Sequence, residues 1–320
     1  MVYSRRSFAQ LFMAATCLTA APVLAADRYN VVATTGMLAD LMRNLGGSLV
    51  QVKGLMGTGV DPHSYRHTRS AIVAMIRADL TVRHGLHLEM QMMDFFAKLS
   101  RKRSVVAATD TIPNDLLRPY DGQSARFDPH VWMDPSLWVF VAEHMADVLT
   151  KALPDHADDL AHNLGSYRKE LIDLDRYAQT CFASIPEQSR VLATAHDAFG
   201  YLGKRYGIEV IGLQGMSTNS EAGVFRISEL VDTLVTRNIG AVFVESSVSS
   251  RNLRALIEGA AARGHSLALG GELYSDAMGL DGTYTGTYLG MIDHNVTTIT
   301  RALGGTPPDR GRLGKLEALS

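Results

Sequence analysis

A pattern near the start of the chain returns in its second half, and this constrains the fold more than any other feature. Val31-Val32-Ala33-Thr34-Thr35 leads into a helical stretch through Leu41 and Leu45 to Gly46-Gly47, and then into Val50-Gln51-Val52-Lys53-Gly54-Leu55. Val191-Leu192-Ala193-Thr194-Ala195, followed by Phe199 to Gly207 and by Val210-Ile211-Gly212-Leu213, runs the same way. Each copy reads as a β-rich strand, a helix closed by glycine and a second strand. Parallel neighbours need such a crossover, so two copies imply two (β/α) lobes with parallel sheets. Residues 78–82 and 105–108 read as further strands of the first lobe, and 241–244 and 266–269 as further strands of the second.

Between the copies, Leu160, Leu164, Tyr167, Leu171, Leu174, Ala178 and Cys181 recur at spacings of four and three, one apolar stripe on a helix. Pro154 suits its first turn and Pro186 lies beyond its end, and roughly 30 residues at 1.5 Å rise give a rod of about 45 Å. That length suits a connector packed on both lobes better than a surface helix of one. Gly165 inside it weakens the helix by about 1 kcal/mol relative to alanine. The expected organisation is a first lobe over 27–153, a linking helix over 154–186 and a second lobe over 187–320, with a cleft between the lobes.

Charge narrows the function classes. The 320 residues hold 31 Lys and Arg against 33 Asp and Glu, which excludes the basic excess expected of a nucleic-acid partner. Residues 1–26 read as a bacterial export signal: Arg5-Arg6, an apolar stretch from Leu11 to Leu24, and a small-residue cleavage pattern at Val23-Leu24-Ala25. Ser4-Arg5-Arg6-Ser7-Phe8 resembles a twin-arginine signal, and an ordinary positive start accounts for it equally well. Thr16 before Cys17 makes a poor lipid-attachment sequence. With the signal removed, Cys181 is the sole thiol, so neither an internal disulfide nor a Cys-ligated zinc site can form. No later segment offers about 18 uninterrupted apolar residues. A soluble, monomeric, periplasmic protein is expected.

Four polar segments stand at or beyond the carboxyl ends of the strands, where open parallel sheets place ligands. They are Val60 to Tyr65, Asp128 to Pro135, Thr194 to Asp197 and Gly271 to Asp276. The first two share Asp-Pro-His, in which proline stiffens the backbone that presents the imidazole. Two such loops in one lobe, facing a histidine and a carboxylate in the other, make a cleft site for a divalent cation. Its ligands would be three neutral imidazoles and one carboxylate.

At these residues the sequence resembles the substrate-binding proteins of zinc and manganese ABC importers, the TroA-like family, across nearly the whole mature chain. The resemblance rests on Asp61-Pro62-His63, the run Asp128 to Pro135, Ala195-His196-Asp197-Ala198-Phe199-Gly200-Tyr201, Gly212-Leu213-Gln214-Gly215, Glu245-Ser246-Ser247 and Gly271-Glu272-Leu273-Tyr274-Ser275-Asp276. It implies two lobes joined by a rigid helix with metal held between them. His63 and His130 match the first two ligands, His196 the third and Asp276 the carboxylate. It also implies a cargo of Zn2+ or, alternatively, Mn2+, and an ABC importer permease in the inner membrane as partner. The third position is glutamate in many manganese binders and histidine here. The His-rich loop of many zinc importers is absent, since Asn114 to Phe127 contains no histidine.

The remaining candidates read differently. His67, His84 and His87 have metal-compatible spacing, but four ligands already close the site. His144, His156, His162, His265 and His294 read as solvated or structural. Asp61, Asp128 and Asp197 read either as acceptors that orient imidazoles or as turn residues, and Glu245 as a group that orients a ligand or neutralises the cleft. A secreted zinc-dependent hydrolase is the alternative function, yet no HExxH-type pairing occurs and four protein ligands leave no open position. A binder of a bulky chelate would want an aromatic or basic cleft, and aromatic residues are only 7%. Three clustered histidines disfavour added positive charge, which places their metal-free pKa values below the ordinary 6.5.

Overall fold

The repeat is realised as two sheets of identical winding. In the first lobe β1 (Tyr29–Ala33), α1 (Gly36–Gly46), β2 (Val50–Gly54), α2 (Arg69–Arg77), β3 (Leu80–Arg83), α3 (Met93–Leu99) and β4 (Ser104–Ala107) give a parallel sheet of order β2-β1-β3-β4. A short antiparallel pair, β5 (Pro119–Tyr120) and β6 (Gln123–Phe127), leads to α4 (Pro135–Ala152) and α5 (Ala157–Ala183). The second lobe has β7 (Val191–His196), α6 (Gly200–Tyr206), β8 (Glu209–Gln214), α7 (Val224–Thr236), β9 (Ala241–Glu245), α8 (Arg251–Ala261), β10 (Ala268–Leu273) and α9 (Tyr288–Ala302). Its sheet runs β8-β7-β9-β10, again all parallel. In each lobe the chain moves outward from the first strand to the second and then returns to the other side. The gap where the direction reverses lies between β1 and β3 in one lobe and between β7 and β9 in the other, and such gaps bind ligands. This computed structural model describes residues 28–120, 123–219 and 223–317, so the export signal expected over 1–26 lies outside them.

Local chemistry starts and stops the helices. Thr35, Thr68 and Thr287 cap α1, α2 and α9 by accepting main-chain N–H groups, and Asp134 with Pro135 opens α4. Gly207 closes α6 at φ 70°, a conformation that glycine adopts without penalty. The linking helix is 27 residues long, about 40 Å, and Gly165 does not interrupt it. Its stripe of Leu160, Tyr167, Leu171, Leu174, Ala178 and Cys181 is buried, with Leu164 half-buried at its margin.

That stripe belongs to one core that holds Val31 and Leu80 of the first lobe together with Leu192, Phe243 and Val296 of the second. Smaller cores lie under α2 and α3, around Met75 and Phe96, and under α7 and α8, around Leu234 and Val242. A shared core resists wide separation of the lobes, because parting them would expose apolar side chains packed from both. One expected strand shifts. The last strand covers Ala268–Leu273 rather than 266–269, because Gly270-Gly271 lie inside it at a register irregularity instead of ending it. The histidine-free segment 114–127 ends in the β5–β6 hairpin, which delivers Asp128 to the cleft.

Candidate metal centre

Both Asp-Pro-His segments fold by the same local device. The Asp61 carboxylate accepts the main-chain N–H of His63 at 2.8 Å, and the Asp128 carboxylate accepts that of His130 at 3.0 Å. Each aspartate thus closes a turn over its proline and aims the imidazole two residues on. The second lobe uses strands instead. His196 ends β7 and Glu245 ends the neighbouring β9, where Glu245 accepts the His196 main-chain N–H at 2.8 Å. Asp276 lies three residues past β10, on a segment whose Tyr274 is clamped by both amide atoms of Asn295.

These elements bring His63, His130, His196 and Asp276 together, each offering one ligand atom within 4.8 Å of the others. All four are buried, with His130 and His196 at 0%, Asp276 at 2% and His63 at 4% exposure. The Nε2 atoms of His63 and His130 are 3.2 Å apart. Asp276 oxygens lie 3.3 Å from His196 Nε2, 3.4 Å from His130 Nε2 and 3.8 Å from His63 Nε2. Four ligands at the bond lengths of zinc would stand about 3.3–3.4 Å apart in a tetrahedron. Neither His196 Nε2 nor either Asp276 oxygen makes a hydrogen bond, although all three atoms are buried. Buried polar atoms left in this way are costly, and a cation at their centre would satisfy them together.

The outer nitrogens are committed elsewhere, which settles the tautomers. His130 Nδ1–H donates to Asp128 at 2.7 Å, and His196 Nδ1–H donates to Glu245. Each Nε2 therefore faces the cluster and can ligate once its proton has left, and each carboxylate raises the basicity of its ring. Asp128 is in turn held by Arg118 Nη1 at 2.7 Å, and its main-chain carbonyl accepts the Tyr201 hydroxyl. Asp61 does a different job: beyond its own turn it accepts the Thr218 hydroxyl from the opposite lobe at 2.6 Å. Asp197, next to His196 in the chain, is not one of the four and is raised in pKa by burial and then by the nearby Asp128 charge. The sequence left open whether these aspartates orient rings or make turns; Asp128 does both, and Asp61 makes the turn and a cross-cleft bond.

The metal-free titration departs from expectation for two of the three rings. Burial, with the neighbouring rings, takes His63 down to about 4. Burial also opposes charge on His130, but the Asp128 carboxylate, its hydrogen bond and Asp276 prevail and raise it to about 9. His196 is likewise raised, burial being outweighed by Glu245 and Asp276. Asp276 is held well below the usual carboxylate range, because the three rings outweigh its burial. The carboxylates beside two of the rings outweigh the mutual repulsion of the three.

The other histidines stand outside the cluster. His67 stacks on Phe95, and His87 is exposed at a left-handed φ of 62°. His84 is buried and hydrogen-bonds through Nε2 to the Pro129 carbonyl at 2.7 Å, just before His130. Burial lowers its pKa to about 3, so the ring is neutral and donates that bond. Sequence reasoning missed this bond, the Arg118–Asp128 pair and the Thr218 bond. Only Tyr201 carried a signal, through its place in the segment Ala195 to Tyr201.

Comparison with known proteins is consistent with this geometry. Residues 31–302 match the model of the zinc-uptake complex component A family, described as periplasmic. The chain belongs to this family. It is 46% identical over 277 residues to the manganese-binding lipoprotein MntA of Bacillus subtilis, covering 87% of this chain and 90% of that one. The solved structure of the periplasmic zinc-binding protein TroA from Treponema pallidum superposes with a TM-score of 0.84 at 44% identity, covering 86% of this chain and 99% of that one. The manganese ABC transporter substrate-binding lipoprotein PsaA of Streptococcus pneumoniae is 26% identical over 283 residues, 87% of this chain and 89% of that one. The family is a transport component and not an enzyme family, which removes the hydrolase alternative. No helix among the described residues is long and apolar enough to cross a membrane.

Proposed function

We propose that the protein captures a divalent transition metal in the periplasm through His63, His130, His196 and Asp276 and delivers it, as a monomer, to an ABC importer permease in the inner membrane. Export follows from the arginine-bearing segment 1–26, which is cleaved. Residues 27–153 and 187–320 act as lobes on either side of the helix-bearing segment 154–186. The observation that carries this reading is the buried three-imidazole, one-carboxylate cluster at the lobe junction, with His196 Nε2 and both Asp276 oxygens left without a hydrogen bond. Zn2+ is the preferred cargo and Mn2+ the alternative. Imidazole suits zinc, and manganese stands lowest in the divalent affinity series. Relatives named for zinc and for manganese are both similar to this chain.

The test is elemental analysis of protein purified from periplasm without chelators, paired with competition between the two metals. One equivalent of metal should be present in the native protein and be lost in His196→Ala, while zinc displaces manganese at equal concentration. Stoichiometric, tight binding by His196→Ala overturns the ligand assignment. Displacement of zinc by manganese overturns the metal preference.

A further inference from the structure

His130 and Asp276 face each other from opposite lobes, and something must fix their separation. His130 is anchored within its own lobe by Asp128. Apart from the cluster itself, where its oxygens lie 3.3 Å and 3.4 Å from His196 and His130 Nε2, Asp276 has no side-chain partner, so its position depends on its backbone. One contact to that backbone comes from the first lobe at the site itself. The indole Nε1–H of Trp132, two residues after His130, donates to the carbonyl of Ser275 at 2.8 Å, one residue before Asp276. Trp132 is completely buried. Its ring packs edge-on against His130 and against His84, with centroids 5.2 Å and 4.9 Å away. Its own carbonyl accepts the Tyr288 hydroxyl of the second lobe at 2.8 Å. The residue is thus held on both sides of the cleft, by its carbonyl and by its indole, and the indole cannot change its reach without breaking a buried hydrogen bond.

We propose that Trp132 is a positioning residue that sets the distance between the metal ligands of the two lobes, and through it the preference for zinc over manganese. The inference rests on the four-ligand reading of the site. Zinc takes four ligands at short, fixed distances, so it gains most from a carboxylate held at the right span. Manganese accepts more ligands, water among them, and tolerates a looser carboxylate. Loss of the indole bond should therefore weaken zinc more than manganese. A residue that merely filled the core would weaken both to the same degree, through stability alone.

The experiment measures zinc and manganese affinities by chelator competition for the full-length mature protein and for Trp132→Phe, which keeps an aromatic ring and removes the N–H. Zinc affinity should fall by about tenfold, the equilibrium worth of one hydrogen bond, and manganese affinity by less than half as much on a logarithmic scale. Should Trp132→Phe fold poorly, site-specific insertion of β-(3-benzothienyl)alanine replaces the N–H by sulfur at nearly constant shape and should give the same change in ratio. Leu171→Ala, in the core of the linking helix, lowers stability without touching the site and should leave the ratio alone. Equal losses for the two metals, or zinc affinity unchanged within about twofold, overturns the positioning role. Failure of the unaltered protein to bind either metal overturns the underlying reading of the site instead.

Discussion

Acidification from pH 8 to pH 6 should weaken metal binding far more steeply than three ordinary histidines would. His130 is raised to about 9 and His196 is raised as well, so both rings are protonated in the metal-free protein at neutral pH. Their Nδ1 protons stay with Asp128 and Glu245, and a metal must expel the proton from each Nε2. His63, lowered to about 4, is already neutral, and Asp276 is already ionised. Up to two protons should therefore leave per metal bound, and apparent affinity should change by up to about 100-fold per pH unit. The same protons act oppositely on the empty protein. A raised folded-state pKa gives stability that is complete below the unfolded value near 6.5 and is lost as pH climbs through about 9. Metal-free protein should thus melt at lower temperature at pH 9 than at pH 7, while its affinity for zinc increases over that interval. Calorimetric titration with zinc in buffers of different ionisation enthalpy counts the protons directly, and chelator competition gives the affinities. Asp128→Asn removes the principal influence holding His130 in the charged form and should lower the count at pH 7 by about one. A count near zero at pH 7, or affinity flat between pH 6 and 8, refutes this reasoning.

Two substitutions away from the ligands follow from the same geometry. Thr218→Val keeps the shape but removes the hydroxyl that reaches Asp61 across the cleft, freeing the turn that presents His63; stopped-flow release of zinc to a chelator should quicken about fivefold to tenfold, and an unchanged rate contradicts the role of that bond. Gly200→Ala places a methyl 1.1 Å from Arg118 Nη1, so the guanidinium must leave Asp128; denaturant unfolding should show a loss of about 1–2 kcal/mol, against no change if Arg118 has room to pivot.

The parts of this molecule that were legible in its sequence are those written in local patterns. The strand–helix–strand repeat reads from hydrophobic periodicity, and both copies wind identically. The linking helix reads from one stripe of four-and-three spacing. Asp-Pro-His announces itself because aspartate, proline and histidine act on each other within three residues. Glu245 was visible only as a carboxylate at a strand end; its pairing with His196 depends on β7 and β9 being neighbours, which strand order decides. The bonds that join the lobes could not be paired from the sequence, since Trp132 and Ser275, Thr218 and Asp61, and Arg118 and Tyr201 are far apart in the chain and belong to no periodic pattern. The elevated His130 and His196 were hidden for the same reason. Charge depends on which carboxylate stands beside each ring, and counting histidines does not supply it.

The central claim is that one metal ion is held by ligands from both lobes at once. A crystal structure of the zinc-loaded protein with anomalous data at the zinc edge tests it most directly. A single strong peak about 2.0–2.2 Å from Nε2 of His63, His130 and His196 and from an Asp276 oxygen is the predicted result. A peak bound by one lobe alone, or at residues outside these four, would contradict it.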